Sequence, residues 1–142
     1  ESPASYRTRR AKGNPINGLT SVHFSNAKQG WATGLFGLLL TTNDGGKTWK
    51  NQDVGLRIGR WGKRVSLKDV YFANTEHGCV VGEGGALAHT TDNGKTWYPR
   101  NLPISSRLNS VFFIDHQHGW AVGDNFTILW TTDGGNTWQI QM

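Results

Sequence analysis

The sequence has a single cysteine and no long hydrophobic run, and each shortage excludes a class of protein. Because Cys79 has no second cysteine to pair with, an intramolecular disulfide and a cysteine-based zinc site are both excluded. No apolar stretch approaches the roughly 18 residues that a membrane-spanning helix needs. The chain also lacks the abundance of Ala, Leu and Glu on which a helical bundle depends.

What the 142 residues do contain is 19 glycines and 7 tryptophans, both well above average usage. Many glycines and large aromatic rings favour short strands, joined by tight turns, around an aromatic core. The aromatic content also argues against an intrinsically disordered chain. We therefore expect an all-β fold, and the length suits one domain.

Three segments of the chain repeat one another without a gap, at residues 19–54, 67–102 and 108–142. Each contains four short stretches typical of strands, separated by clusters of Gly, Asn and Asp. In the first stretch, which reads LTSVHF, LKDVYF or LNSVFF, the Leu, Val and final Phe are expected to alternate as in a half-buried strand. Four antiparallel strands in a unit of about 41 residues predict a β-propeller blade.

The turn between the third and fourth strands carries the most regular motif. It reads TNDGGKTW at 42–49, TTDNGKTW at 90–97 and TTDGGNTW at 131–138. The Asp can accept backbone hydrogen bonds within the turn, the Gly can supply a positive φ, and the Trp can pack on a neighbouring turn or blade. Because the motif recurs at regular positions, we interpret its residues as architecture. They are Asp44, Gly46, Trp49, Asp92, Gly94, Trp97, Asp133, Gly135 and Trp138.

This motif resembles the Asp-box (BNR) hairpin, S/T-x-D-x-G-x-T-W. Together with the second strands GWATG, GCVVG and GWAVG, it makes residues 19–142 most similar to the photosystem II stability and assembly factor-like propellers. The resemblance implies a non-catalytic scaffold that binds protein segments without a cofactor, and it favours an exported (periplasmic, lumenal or extracellular) location. Asp boxes also occur in sialidases, xyloglucan-degrading enzymes and sortilin-type receptors, so the motif is more specific for fold than for function.

Three blades are fewer than the 4 to 8 with which propellers typically close. Two apolar blade faces would then be open to water, and such faces predict association. We predict a homodimer that closes a six-bladed ring, because twofold assemblies are the commonest; a fragment of a longer propeller is the alternative. Residues 1–18 carry none of the repeat motifs and are expected to form a basic N-terminal arm or an extra outer strand.

The formal net charge of +5 is concentrated in one segment. Residues 57–68 hold five basic side chains and no acid, so basic and acidic residues balance in the rest of the chain. Within this segment lies the insertion that separates the first two repeats, a basic loop at residues 57–66 that includes Trp61. Blade topology places it beside the turns between the second and third strands, and arginine forks suit carboxylates and phosphates. The predicted partner-binding residues are Arg57, Arg60, Trp61, Lys63, Arg64, Phe36 and Phe126.

Several functions remain open from the sequence. The leading hypothesis is a scaffold that binds an acidic or extended protein segment, or another anionic ligand, through the basic and aromatic face. The alternative is a glycan-binding, glycoside-hydrolase or sialidase-like propeller, for which Glu83 and Asp124, at equivalent positions of adjacent blades on the basic face, are the only carboxylate pair worth testing. A solvated basic loop is the simplest interpretation of the insertion, and its charge also permits non-specific nucleic-acid binding.

No metal site is predicted. His77 and His118 share a repeat position and His116 lies close by, but no carboxylate or cysteine recurs beside them to complete a ligand set. We interpret these histidines as exposed loop residues. Cys79 stands where the other two repeats have Trp31 and Trp120, which predicts a small core residue and not a reactive thiol.

Overall fold

The computed structural model describes residues 18–58 and 62–141, which form three four-stranded antiparallel sheets. This architecture confirms the all-β prediction of three blades per chain. Within each blade the strands lie side by side in chain order. The predicted N-terminal arm or extra strand falls outside the described residues, apart from Gly18. Among the helical segments in the described ranges, none has the length and hydropathy of a membrane span.

The blades have closely similar strand bounds. The first contains β1 (Leu19–Phe24), β2 (Gly30–Gly34), β3 (Leu39–Thr42) and β4 (Lys50–Gln52). Two short strands follow, β5 (Arg57–Ile58) and β6 (Lys63–Arg64). The second blade contains β7 (Leu67–Phe72), β8 (Gly78–Gly82), β9 (Leu87–Thr90) and β10 (Tyr98–Pro99). The third contains β11 (Leu108–Phe113), β12 (Gly119–Gly123), β13 (Ile128–Thr131) and β14 (Gln139–Gln141).

A β-bulge interrupts the first strand of every blade. In a regular strand, residues three apart face opposite sides of the sheet, so Leu67 and Val70 could not both be buried on one face. The bulge adds one residue between Leu67 and Asp69, and Leu67, Val70 and Phe72 are all buried. Simple alternation along this strand is therefore a wrong prediction. The same irregularity lies between Leu19 and Ser21 and between Leu108 and Ser110.

The core lies between the blades, where aromatic rings from adjacent sheets meet. Trp31 stacks on Phe72 with ring centroids 4.6 Å apart, and Trp97 meets both rings edge-on. At the next junction Phe113 and Trp138 pack in the same T-shaped manner. Truncating a buried aromatic residue of this kind costs about 3 to 5 kcal/mol. Rings from the repeat thus provide the packing that the modest aliphatic content does not.

Asp69 joins all three blades through hydrogen bonds. Its carboxylate accepts from Ser21 Oγ of the first blade at 2.6 Å and from the backbone N–H of Val111 of the third at 2.9 Å. Serine occupies the equivalent position in both other blades, at Ser21 and Ser110. This contact was not predicted, because it depends on the packing of first strands from three separate repeats.

The inserted segment, predicted as a basic loop, contains a small two-stranded hairpin. Arg57 pairs with Arg64 and Ile58 with Lys63 across β5 and β6. Leu56 and Val65 flank the hairpin and are buried against the core. This apolar base fixes where the hairpin leaves the propeller, so its charged strands are presented from a defined position.

Candidate functional site

The Asp-box turns use their polar groups internally. Asp44 accepts hydrogen bonds from the Thr48 hydroxyl at 2.5 Å, the Thr48 backbone N–H at 2.9 Å and the Thr42 hydroxyl at 2.8 Å. The bond from the Thr48 hydroxyl is the largest of the causes that hold the pKa of Asp44 well below its usual range. Trp49 Nε1 donates to the Gly46 carbonyl at 3.0 Å. With its carboxylate occupied in this way, Asp44 stabilises its own hairpin.

The other two boxes repeat most of this arrangement. Asp92 accepts from Thr90 and Thr96, and Asp133 accepts from Thr131 and Thr137. Positive φ angles occur at Gly46, Gly94 and Gly135, as expected from the sequence. Trp138 Nε1 bonds Gly135 as in the first box. In the second box, however, Gln52 Nε2 donates to the Gly94 carbonyl, and Trp97 Nε1 has no partner among the described residues.

The opposite end of the strands carries the hairpin and the turns between second and third strands. We call this surface the insertion face, defined by β5, β6 and residues 35–37, 83–85 and 124–126. The hairpin contacts the first of these turns directly. Lys63 Nζ lies 5.8 Å from the centre of the Phe36 ring, and the Phe36 backbone N–H donates to Ser66 Oγ at 3.1 Å.

Two phenylalanines on the insertion face occupy a backbone region that favours glycine. Phe36 has a φ of 56° and Phe126 a φ of 57°. The repeat places Gly84 at the position of Phe36, and Gly37 and Gly85 at the position of Phe126. Phe36 is 42% exposed and Phe126 is 96% exposed. Neither the backbone conformation nor burial explains an aromatic ring at Phe126.

The basic side chains of the hairpin are partly paired with an acid that precedes it. Both terminal nitrogens of Arg57 contact the Asp53 carboxylate, at 2.6 and 3.1 Å. Arg64 approaches the same carboxylate at 3.7 Å. The hydrogen bond from Arg57 is the main cause that lowers the pKa of Asp53 to about 2. Asp53 was not among the predicted site residues, although it lies only four residues before Arg57 in the sequence.

A groove of about 350 Å³ lies beside the hairpin on this side of the second blade. Arg57 and Arg100 are its charged lining residues, and Leu56, Leu102 and Ile104 form part of its apolar wall. The structure thus brings five of the predicted binding residues onto one face. These are Arg57, Lys63, Arg64, Phe36 and Phe126. Arg60 and Trp61 lie outside the described residues.

The carboxylates considered for glycoside chemistry are both engaged. Glu83 accepts from the Ser66 backbone N–H at 3.0 Å. Asp124 forms an ion pair with Arg107 at 3.1 Å and accepts from the Asn109 amide at 2.9 Å. Each carboxylate therefore joins the turn between the second and third strands of its blade to the residue that directly precedes the first strand.

The remaining candidates lie apart from this face. The His77 and His116 rings are 5.3 Å apart, but no group of three metal-ligating side chains occurs within residues 18–58 and 62–141. Cys79 is fully buried, and burial raises the pKa of its thiol far above the ordinary value.

Comparison with known protein families gives a match over almost the whole chain. Residues 15–102 and 97–142 match the family described as photosynthesis system II assembly factor YCF48. The chain belongs to this family. A search of curated proteins finds no match.

Solved structures of the family share the blade arrangement. YCF48 bound to D1 peptide superposes with a TM-score of 0.75 at 24% identity, and YCF48 from Cyanidioschyzon merolae with a TM-score of 0.74 at 25% identity. Each match covers 88% of this chain and 40% of the other. The chain therefore spans well under half the length of these family structures.

Proposed function

We propose that the chain is a non-catalytic scaffold that binds an extended, acidic protein segment across the insertion face. The observation that carries this proposal is Phe126, which is 96% exposed on a left-handed backbone. A bulky side chain in that region costs about 1 to 2 kcal/mol relative to glycine. An exposed ring returns none of that free energy within the chain, so a contact outside the chain accounts for it.

The surroundings of Phe126 suit an extended acidic partner. The groove beside the hairpin offers an apolar wall next to two arginines, Arg57 and Arg100. Asp53 already pairs with Arg57, and we assign Arg57 the role of holding the hairpin in place. Lys63 and Arg64, together with the predicted Arg60 and Trp61, then provide the charge and stacking area that meet the partner.

The family supports a protein ligand. Its members are described as assembly factors, and one solved relative is YCF48 bound to D1 peptide. From this we propose that the present chain also binds a protein segment and has no catalytic role. We further propose an exported compartment, as the family resemblance implies.

Peptide binding by matched variants tests the proposal. Phe126→Gly places at this position the residue found in the other two blades, and we expect it to weaken binding of a labelled D1 peptide at least tenfold in fluorescence anisotropy. Asn125→Gly is the matched control, because it relieves the neighbouring left-handed residue without removing a ring. Equal affinity of the Phe126→Gly variant and the parent chain would contradict the proposed face.

A second proposal concerns the two ends of the blade array. Val22 is 63% exposed, whereas its equivalents Val70 and Val111 are buried by a preceding blade. At the other end Trp120 is 41% exposed, whereas its equivalents Trp31 and Cys79 are buried by a following blade. We propose that each open face packs against the other in a second copy, which closes a six-bladed ring.

Light scattering at micromolar concentration tests this assembly. We expect a mass twice the 15.7 kDa of one chain for the parent protein. Val22→Asp would place a charge in the interface and should give the single-chain mass, whereas Lys47→Asp, on an exposed box turn, should not. A folded parent protein of single-chain mass would refute the dimer and leave the peptide-binding proposal intact.

A further inference from the structure

His89 is a buried histidine at the junction between the second and third blades. It is 5% exposed and lies on β9, where its Cβ packs against Gly135 of the third Asp box. The first and third blades have Thr41 and Trp130 at this position, neither of which titrates. The second blade therefore places a titratable ring between two blades, where the repeat otherwise has uncharged side chains.

The hydrogen bond of His89 requires a neutral ring. Arg100 Nε donates to His89 Nδ1 at 3.4 Å, so this ring nitrogen is the acceptor and carries no proton. Three other histidines of the described residues, His23, His77 and His118, are bonded to oxygen acceptors instead. An oxygen acceptor suits a charged ring as well as a neutral one, whereas a guanidinium N–H suits only the neutral ring. Protonation of His89 thus removes its hydrogen bond and puts a second cation beside Arg100.

Burial and charge both favour the neutral form of His89. Burial is the largest cause of its lowered pKa, and the Arg100 guanidinium is the next. Asp133 and the Gly135 carbonyl act in the opposite direction, although the Asp133 carboxylate already accepts hydrogen bonds within its own box turn. The charge of His77 lowers the pKa further. The contribution of His89 to stability is therefore complete above the unfolded imidazole pKa of about 6.5 and is lost as pH falls through the lower pKa of the folded chain.

We propose that protonation of His89 opens the junction between the second and third blades, which makes this junction sensitive to acid. The strands on either side of β9 offer no counter-charge, because Cys79 and Tyr98 carry a thiol and a phenol that are uncharged in acid. A charged His89 ring would therefore be buried beside Arg100 without an unbonded acid, and such burial is unfavourable. The ring reaches water when the third blade moves away from it.

NMR titration of the histidine rings tests the protonation step in the intact chain. The His89 ring signal, identified by its absence from His89→Gln, should titrate below the ordinary histidine pKa of about 6.5. Arg100→Met removes the guanidinium and should move this titration upward. A His89 ring that titrates at or above about 6.5 in the parent chain, or that is unmoved by Arg100→Met, would overturn the proposal.

Stability and amide exchange test the opening of the junction. The advantage in unfolding temperature of the parent chain over His89→Gln should fall by at least about 2 °C between about pH 7.5 and about pH 5, because glutamine accepts from Arg100 without titrating. His118→Gln is the matched control, since the His118 ring is bonded to Asp115, and the advantage over this variant should not fall. In the parent chain, acid should reduce amide protection more in β11 to β13 than in β1 to β3. Equal reductions in both blades, or an advantage over His89→Gln that does not change with pH, would contradict the proposal whatever the outcome at the insertion face.

Discussion

The two ends of the strands follow different rules. On the Asp-box side, the same turn recurs three times. Its threonine hydroxyls donate to the Asp carboxylate, and two of its three indoles donate to a glycine carbonyl of the same turn. On the insertion face, the three turns differ in sequence, one phenylalanine is almost fully exposed, and a hairpin interrupts the repeat. Where the turns repeat, their polar groups mostly find hydrogen-bond partners within the chain. Where the turns depart from the repeat, side chains remain available to a partner.

The largest expected difference between the two sides is the effect of removing an aromatic ring. Trp138→Ala should lower the free energy of unfolding by about 3 to 5 kcal/mol, because the ring is buried against Phe113 and bonded to Gly135. Phe126→Ala should change it by less than about 0.5 kcal/mol, since that ring touches little of its own chain. Urea denaturation of the two variants measures both. A similar loss of unfolding free energy in both variants would contradict the distinction between rings that support the fold and rings that are available to a partner.

A smaller difference is expected for glycines of positive φ. An added Cβ at Gly94 would overlap the Trp31 ring, so Gly94→Ala combines backbone strain with overpacking and should cost about 3 kcal/mol. Gly55, at the approach to the hairpin, has a φ of 79° with nothing within 4 Å of the added Cβ. Gly55→Ala should therefore cost only about 1 kcal/mol, which is the strain alone. Thermal unfolding of both variants measures these two losses of stability, and we expect the loss for Gly94→Ala to be the larger.

The smallest effect concerns the ion pair at the base of the hairpin. Because the pKa of Asp53 is lowered to about 2 by Arg57, the pair stabilises the folded chain above the unfolded carboxyl pKa of about 3.9 and loses this contribution as pH falls through about 2. Both side chains are substantially exposed, so solvent screening limits the contribution to less than about 1 kcal/mol.

The backbone amide of Gly55, which donates to Asp53, reports this titration by NMR. We expect its resonance to follow an apparent pKa near 2 in the parent chain. In Asp53→Asn the titration should be absent, while Arg57→Gln should move it upward toward the ordinary carboxyl value. A titration near 4 in the parent chain would contradict the pairing of Asp53 with Arg57.

Most of the blade could be predicted from the sequence because its determinants are local. The Thr, Asp, Gly and Trp of each box lie within eight consecutive residues, and in the first and third boxes all four are joined by hydrogen bonds, so their spacing specifies the turn. The bulge was missed because it lies in the pairing of the first strand with the second, and the spacing of apolar residues along one strand does not specify that register. The hairpin was missed because its sequence is polar and its buried support, Leu56 and Val65, lies outside the two short strands.

The sequence by itself determined the number and type of blades and the separation of repeated from unrepeated positions, since these depend on short-range spacing. Only the tertiary structure decided which polar side chains find a hydrogen-bond or ion-pair partner. Asp53 pairs with Arg57, and the Asp69 carboxylate connects three blades through hydrogen bonds. The Trp31 ring lies against Gly94 at the first junction, whereas His89 lies against Gly135 at the next. Each of these outcomes depends on atoms brought together from separate turns or blades, and a linear pattern does not encode distances of that kind.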